Sequence, residues 1–249
     1  PGDLIARHCL QHGAVPAEGQ GMTEWSTEAR TVLSFRVPEP AVQALLPAGW
    51  TVDPSTGAAN RGANLSLTVM DRMLVLDPQG KNMRTGTIRY AVMSVPGRHA
   101  ETGRTNPLIV LGISPEGEGA YGAYLTATVS RLERSSSGTA EEAGRAEEAW
   151  EFAAASGERL ELRLAYRRAT PIKAQVQTTI RSGIRPDYTR TYRINQASDV
   201  LRSLATSVDR VESLRFSATG PRFARIFDGT EQLLSVTVIP WYVREISVP

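Results

Sequence analysis

Runs of alternating apolar and polar residues, closed off repeatedly by turn-forming clusters, dominate this chain and leave it few folds to choose from. In Thr31-Val32-Leu33-Ser34-Phe35-Arg36-Val37, Leu33, Phe35 and Val37 fall on one face of a half-buried strand. In the run 172–180, Ile172, Ala174, Val176, Thr178 and Ile180 share one face, and Lys173, Gln175, Gln177, Thr179 and Arg181 lie on or toward the other. Further strands are expected at 63–70, 85–95, 107–113, 120–132, 159–167, 188–194, 211–218 and 233–239. Clusters such as Asp77-Pro78-Gln79-Gly80 and Ser114-Pro115-Glu116-Gly117 supply turns between them. So many strands predict a β-dominated sandwich or barrel. Helix is expected only at 40–46, begun by Pro38 and Pro40 and stopped by Pro47, at 198–204, and in the Ala/Glu-rich stretch 140–154. The reading places an N-terminal extension at 1–28, with a short helix at 3–11, before one domain at 29–249. Within that domain, 134–157 looks like an insertion, read as a solvated helix or loop rather than a binding element.

Composition removes several function classes. The 249 residues suffice for a substantial core. A net charge of +2 with dispersed basic residues gives no nucleic-acid footprint. The single cysteine, Cys9, excludes an internal disulfide and any multi-cysteine metal site. No apolar run approaches the ~18 residues of a membrane span. His8, His12 and His99 do not cluster with acids at metal-ligand spacing, so no metal and no cofactor is expected. G-x-S-x-G and P-loop motifs are missing, and the acids of 114–119 would repel a phosphate. A cytoplasmic protein is expected, with export left open because the chain starts at Pro1. Arginine outnumbers lysine twenty-six to two, which leaves Lys81 and Lys173 as the only lysine amines.

The last forty residues add specificity. A strand runs into Ala218-Thr219-Gly220-Pro221, an apolar turn follows (Phe223, Ile226, Phe227), and a long strand ends at Ile239-Pro240, where a break before a final edge strand is expected. The segment 38–47 offers a second point: Val42, Leu45 and Leu46 on a helix that stops at Pro47. Both resemble the acetoacetate decarboxylase superfamily. The resemblance implies a β-dominated α+β fold, a partly closed barrel with an internal pocket and few short helices. It also implies what is missing. These decarboxylases form a Schiff base on a lysine in a G-F-P-K-K type motif after a Gly-rich turn. Counted from Gly122, the matching positions here are Leu125 and Thr126, which cannot form an imine. The family's acid, usually two residues past a tyrosine, falls at Val92 after Tyr90. The chain therefore resembles a divergent member without the Schiff-base lysine.

Candidate site residues follow from the two strands on which the resemblance puts the pocket, 85–95 and 120–132, and, for Lys173, from the polar face of 172–180 if that face lines a wet cavity rather than meeting water. Tyr90, Tyr124 and Lys173 are the expected catalytic residues, and Arg89, Tyr121, Leu125, Thr126 and Val92 the expected substrate contacts. Tyrosine hydroxyls and a guanidinium fork suit a carbonyl or a carboxylate. Alternation favours Tyr90 over Arg89 on the pocket face. The expected function is an enzyme acting on a keto-acid or polyketide-like carbonyl substrate by aldol, dehydration, cyclisation or hydrolysis chemistry. The alternatives are a carrier or sensor of an apolar carboxylic acid in the same pocket and a structural protein. The expected partner is a small molecule, with no nucleic acid and no membrane; homo-oligomerisation is left open.

Overall fold

The computed structural model describes residues 21–139, 142 and 144–248. Strand makes up 62% and helix 4% of them, so strand pairing, not helix packing, sets the architecture. The strands are β1 (Met22–Arg36), β2 (Trp50–Val52), β3 (Leu65–Leu76), β4 (Ile88–His99), β5 (Thr105–Ser114), β6 (Tyr124–Ser137) and β7 (Arg145–Ala154). They continue with β8 (Arg159–Arg167), β9 (Ile172–Ser182), β10 (Thr189–Ser203), β11 (Val208–Asp209), β12 (Val211–Thr219) and β13 (Gln232–Ser247). One short helix, α1 (Glu39–Gln43), has proline in its first turn and buries Val42 completely. Its missing proline N–H would have had no intrahelical partner in any case.

Seven strands close on themselves in the order β5-β9-β10-β13-β1-β3-β4 and back to β5. Closure is narrow: β5 meets β9 only at Leu108↔Arg181 and Ile109↔Ser182. From the far end of β5, parallel pairing at Gly112↔Tyr124 through Ser114↔Thr126 launches an extension, β6-β7-β8-β12. Two apolar clusters occupy opposite faces of the ring strands. The larger joins Leu33, Leu67 and Met93 of the ring to Trp150, Phe152, Leu160 and Leu162 of the extension. The smaller takes the alternate residues, Met70, Tyr90, Val92, Ile109, Tyr192 and Ile246, and therefore lies inside the ring. At the Gly220 corner φ is +109°, and a Cβ would stand 2.7 Å from Glu158 Cα, so glycine is required there. The corner leads into a 3-10 turn (Phe223–Arg225) that buries Phe223 and Ile226.

Several sequence expectations fail here for identifiable reasons. The stretch 145–154 is strand, not helix. Ala146, Glu148, Trp150, Phe152 and Ala154 are its buried set, a period of two that the Ala/Glu composition disguised. Residues 198–203 belong to β10, held by β13 from Asp199 to Ser203, by β9 at Ser198 and by β11 at Arg202 and Ser203. β13 runs through Pro240 without a break and is no edge strand, since β1 and β10 flank it. The exposed Pro240 is accommodated where the β1–β13 register shifts, between Glu28 and Arg30. β1 begins at Met22, inside what was read as extension. The helix expected at 3–11, with Cys9, His8 and His12, lies outside the described residues.

Candidate active site

A cavity of about 180 Å³ opens inside the ring. The strands deliver charge to it by alternation. β1 turns Glu24, Ser26 and Glu28 to one face, β3 sets Arg72 opposite Glu28, and β13 sets Arg244 opposite Ser26 and Tyr242 opposite Glu28. β10 adds Arg190 and Tyr192, and the loop between β3 and β4 adds Arg84.

Glu28 is fully buried and is the hub. Arg244 reaches it at 2.9 Å, Arg30 at 2.6 Å and Arg72 at 3.5 Å, and Ser26 Oγ donates to it at 3.2 Å. Burial alone would push its carboxyl upward. The Arg244 and Arg30 charges and the hydrogen bonds outweigh that and hold it below its ordinary 4.5. Arg244 is likewise opposed by burial, but Glu28 and the surrounding tyrosines keep it firmly charged. Arg72 differs: burial brings it down to about 10, and neighbouring Arg244 and Arg84 add to the decrease. It pairs through Nη2 with Glu24 and through Nε with Glu28. Arg84 pairs with Glu116 at the rim.

The tyrosines form the other wall. Arg244 Nη2 donates to Tyr90 Oη at 3.4 Å, and its guanidinium lies 4.9 Å from the centre of the Tyr192 ring. The Tyr121 and Tyr192 hydroxyls are 2.6 Å apart. Tyr124 packs edge-on to Tyr90, with centroids 6.1 Å apart. Its ring fits only because its neighbours are glycines: a Cβ on Gly112 or Gly119 would come within 2.1 or 2.4 Å of it. Burial pushes the Tyr124 and Tyr121 hydroxyls well above 10, with the neighbouring tyrosines adding to it, so both are neutral donors at physiological pH. Arg190 donates through Nε to Tyr188 Oη at 2.7 Å, and among the described residues no carboxylate forms an ion pair with it.

The sequence-derived candidates divide accordingly. Tyr90, Tyr121, Tyr124 and Val92 line the cavity. Arg89 does not: alternation turns it to the opposite face of β4, where it pairs with Asp71 at 3.3 Å. Leu125 packs into the larger apolar cluster and Thr126 is exposed. Lys173 is exposed on a part of β9 where Ile172 and Val176 are exposed as well, so both faces of the strand meet solvent there. Lys81 lies in an exposed turn, and neither lysine lines the cavity. The residues missed were Glu24, Glu28, Arg30, Arg72, Arg190, Tyr192 and Arg244. One sign was available: Glu24-x-Ser26-x-Glu28-x-Arg30 is a polar row at period two, running straight into the apolar strand 31–37.

No group of three or more His, Cys, Asp or Glu among the described residues is placed to hold a metal, and no helix there is long and apolar enough to cross a membrane. No sequence-family model and no curated protein matches the chain. Solved structures do. The enduracididine biosynthesis enzyme MppR with HEPES buffer bound superposes with a TM-score of 0.51 at 10% identity, over 96% of this chain and 95% of that one. An acetoacetate decarboxylase-like enzyme from Sphingomonas wittichii RW1 superposes with a TM-score of 0.51 at 12% identity, over 95% of this chain and 96% of that one. The fold is therefore the acetoacetate decarboxylase-like one, with a ring-like sheet rather than a regular barrel.

Proposed function

We propose that the chain is an enzyme that binds a small keto acid in the ring cavity and acts on it without a lysine imine. One observation carries this reading: a cavity inside the ring faced by arginine guanidinia and neutral tyrosine hydroxyls, with neither of the two lysines on its wall. The volume of about 180 Å³ is below the roughly 300–1,000 Å³ typical of sites for drug-sized ligands, which favours a short keto acid over a polyketide-like substrate. The two structures that share the fold are, by their names, enzymes, which favours catalysis over carriage.

The residues suggest a division of labour. Guanidinia hold the substrate carboxylate, with Arg72, Arg190 and Arg244 all on the cavity wall. The Tyr121–Tyr192 pair donates to the ketone oxygen and stabilises the negative charge that develops there when the adjacent carbon loses a proton. Glu24 and Glu116 line the cavity and are the carboxylates available to take that proton. Glu28, sealed behind the arginines, positions them. An enolate formed in this way is the common entry to aldol addition, dehydration and cyclisation.

The test is deuterium exchange at C3 of 2-oxobutyrate in D2O, followed by proton NMR. The folded protein should accelerate exchange, Tyr121→Phe should slow it, and borohydride treatment should leave no adduct by intact mass. A reduced adduct on Lys173 or Lys81 would overturn the reading. Binding without exchange would make the chain a carrier of such acids.

A further inference from the structure

We infer that the ligand of this cavity is a dicarboxylate, a step that rests on the keto-acid reading above. Charge around the cavity does not balance. Five arginines face or back the cavity against three carboxylates, so two positive charges stand uncompensated among the described residues. They are not in one place. Arg84 and Glu116 neutralise each other, and the three arginines around Glu24 and Glu28 leave one charge in excess. The other excess charge is Arg190, whose recorded partners are tyrosine oxygens and rings, Tyr188 above all.

These two poles sit on separate strands. Arg72 is on β3 and Arg190 on β10, with β1 and β13 between them. The Tyr121–Tyr192 hydroxyl pair shares the cavity wall with them. A ligand with a carboxylate at each end and a carbonyl between them would meet both poles and the hydroxyl pair. Burying two unmatched cations is costly unless anions meet them, and a monocarboxylate would leave one pole unmatched.

The experiment compares 2-oxoglutarate with 2-oxopentanoate, which has the same carbon count but a methyl group in place of the second carboxylate. Calorimetric titration of the full chain at fixed salt should give 2-oxoglutarate at least about tenfold tighter binding. Arg190→Gln, with its fold checked by circular dichroism, should bring the ratio of the two dissociation constants close to one, and Arg190→Lys should restore part of it. Equal binding by the wild type would overturn the inference and leave the keto-acid reading standing. A ratio that survives in Arg190→Gln would also overturn it. Tighter binding of dihydroxyacetone phosphate, which carries a single anionic group, than of 2-oxoglutarate would overturn it as well. If no keto acid binds, both readings fall.

Discussion

Glu28, inside the strand ring, and Glu148, where the extension meets the ring, are both buried carboxylates, yet their surroundings have little in common. Three guanidinia reach Glu28. Glu148 accepts from the Thr31 hydroxyl at 2.6 Å, the Trp150 indole at 2.9 Å, Arg134 Nε at 3.1 Å and the Tyr166 hydroxyl at 3.5 Å, so one charge and three neutral donors share its lone pairs. A cavity of similar size adjoins each, about 180 Å³ beside Glu28 and about 200 Å³ beside Glu148. Volume does not separate the two regions; charge balance does. Around Glu148 the acceptors and donors match, as at a structural joint that fixes the extension on the ring. Around Glu28 cations exceed acids, and an anion is what would balance them.

The sharpest way to break this contrast is to neutralise each carboxylate. Glu28→Gln should cost about 3–5 kcal/mol in urea unfolding, because it leaves buried guanidinia facing one another. Glu148→Gln keeps a carbonyl for the neutral donors and should cost less, about 1–2 kcal/mol. Equal losses would mean that the surplus charge beside Glu28 is not energetically real.

Acid titration separates the regions next. The folded-state pKa of Glu28 lies below its ordinary 4.5. Its contribution to stability is therefore complete above that value and is lost as pH falls through the folded pKa. Unfolding free energy measured from pH 6 down to pH 3 should fall less steeply in Glu28→Gln than in the wild type. Identical slopes would contradict the depressed pKa. A smaller effect is expected from Tyr121→Phe: losing the 2.6 Å hydroxyl contact should cost about 1 kcal/mol of stability, and keto-acid exchange should slow far more than binding weakens.

Much of this fold could be read from the chain, and the reasons are local. Arg159–Leu164 alternates cleanly, and the strand spans Arg159–Arg167. The Gly220 corner and the proline-started helix rest on backbone chemistry that needs no tertiary context. The failures came where composition and alternation disagreed, as in 145–154, where alanine and glutamate suggested a helix and Trp150 and Phe152 lay on a strand face. The site was only half legible. The strand pair expected to carry the pocket supplied Tyr90 and Tyr124. The charged residues come from β1, β3, β10 and β13, which are distant in sequence and adjacent only once the ring closes. Nothing local to Arg244 or Arg190 says that they share a cavity.

The central claim is that the cavity chemistry proceeds without a lysine, and this chain permits an unusually direct test of it. Because Lys81 and Lys173 are its only lysines, Lys81→Arg together with Lys173→Arg, expressed without a lysine-bearing tag, gives a protein with no side-chain amine. Both positions are exposed, so stability should change by less than about 0.5 kcal/mol. The measurement is the rate of C3 deuterium exchange of 2-oxobutyrate with the lysine-free protein beside the parent. The account predicts equal rates within a factor of about two, whereas exchange that disappears with the lysines would contradict it.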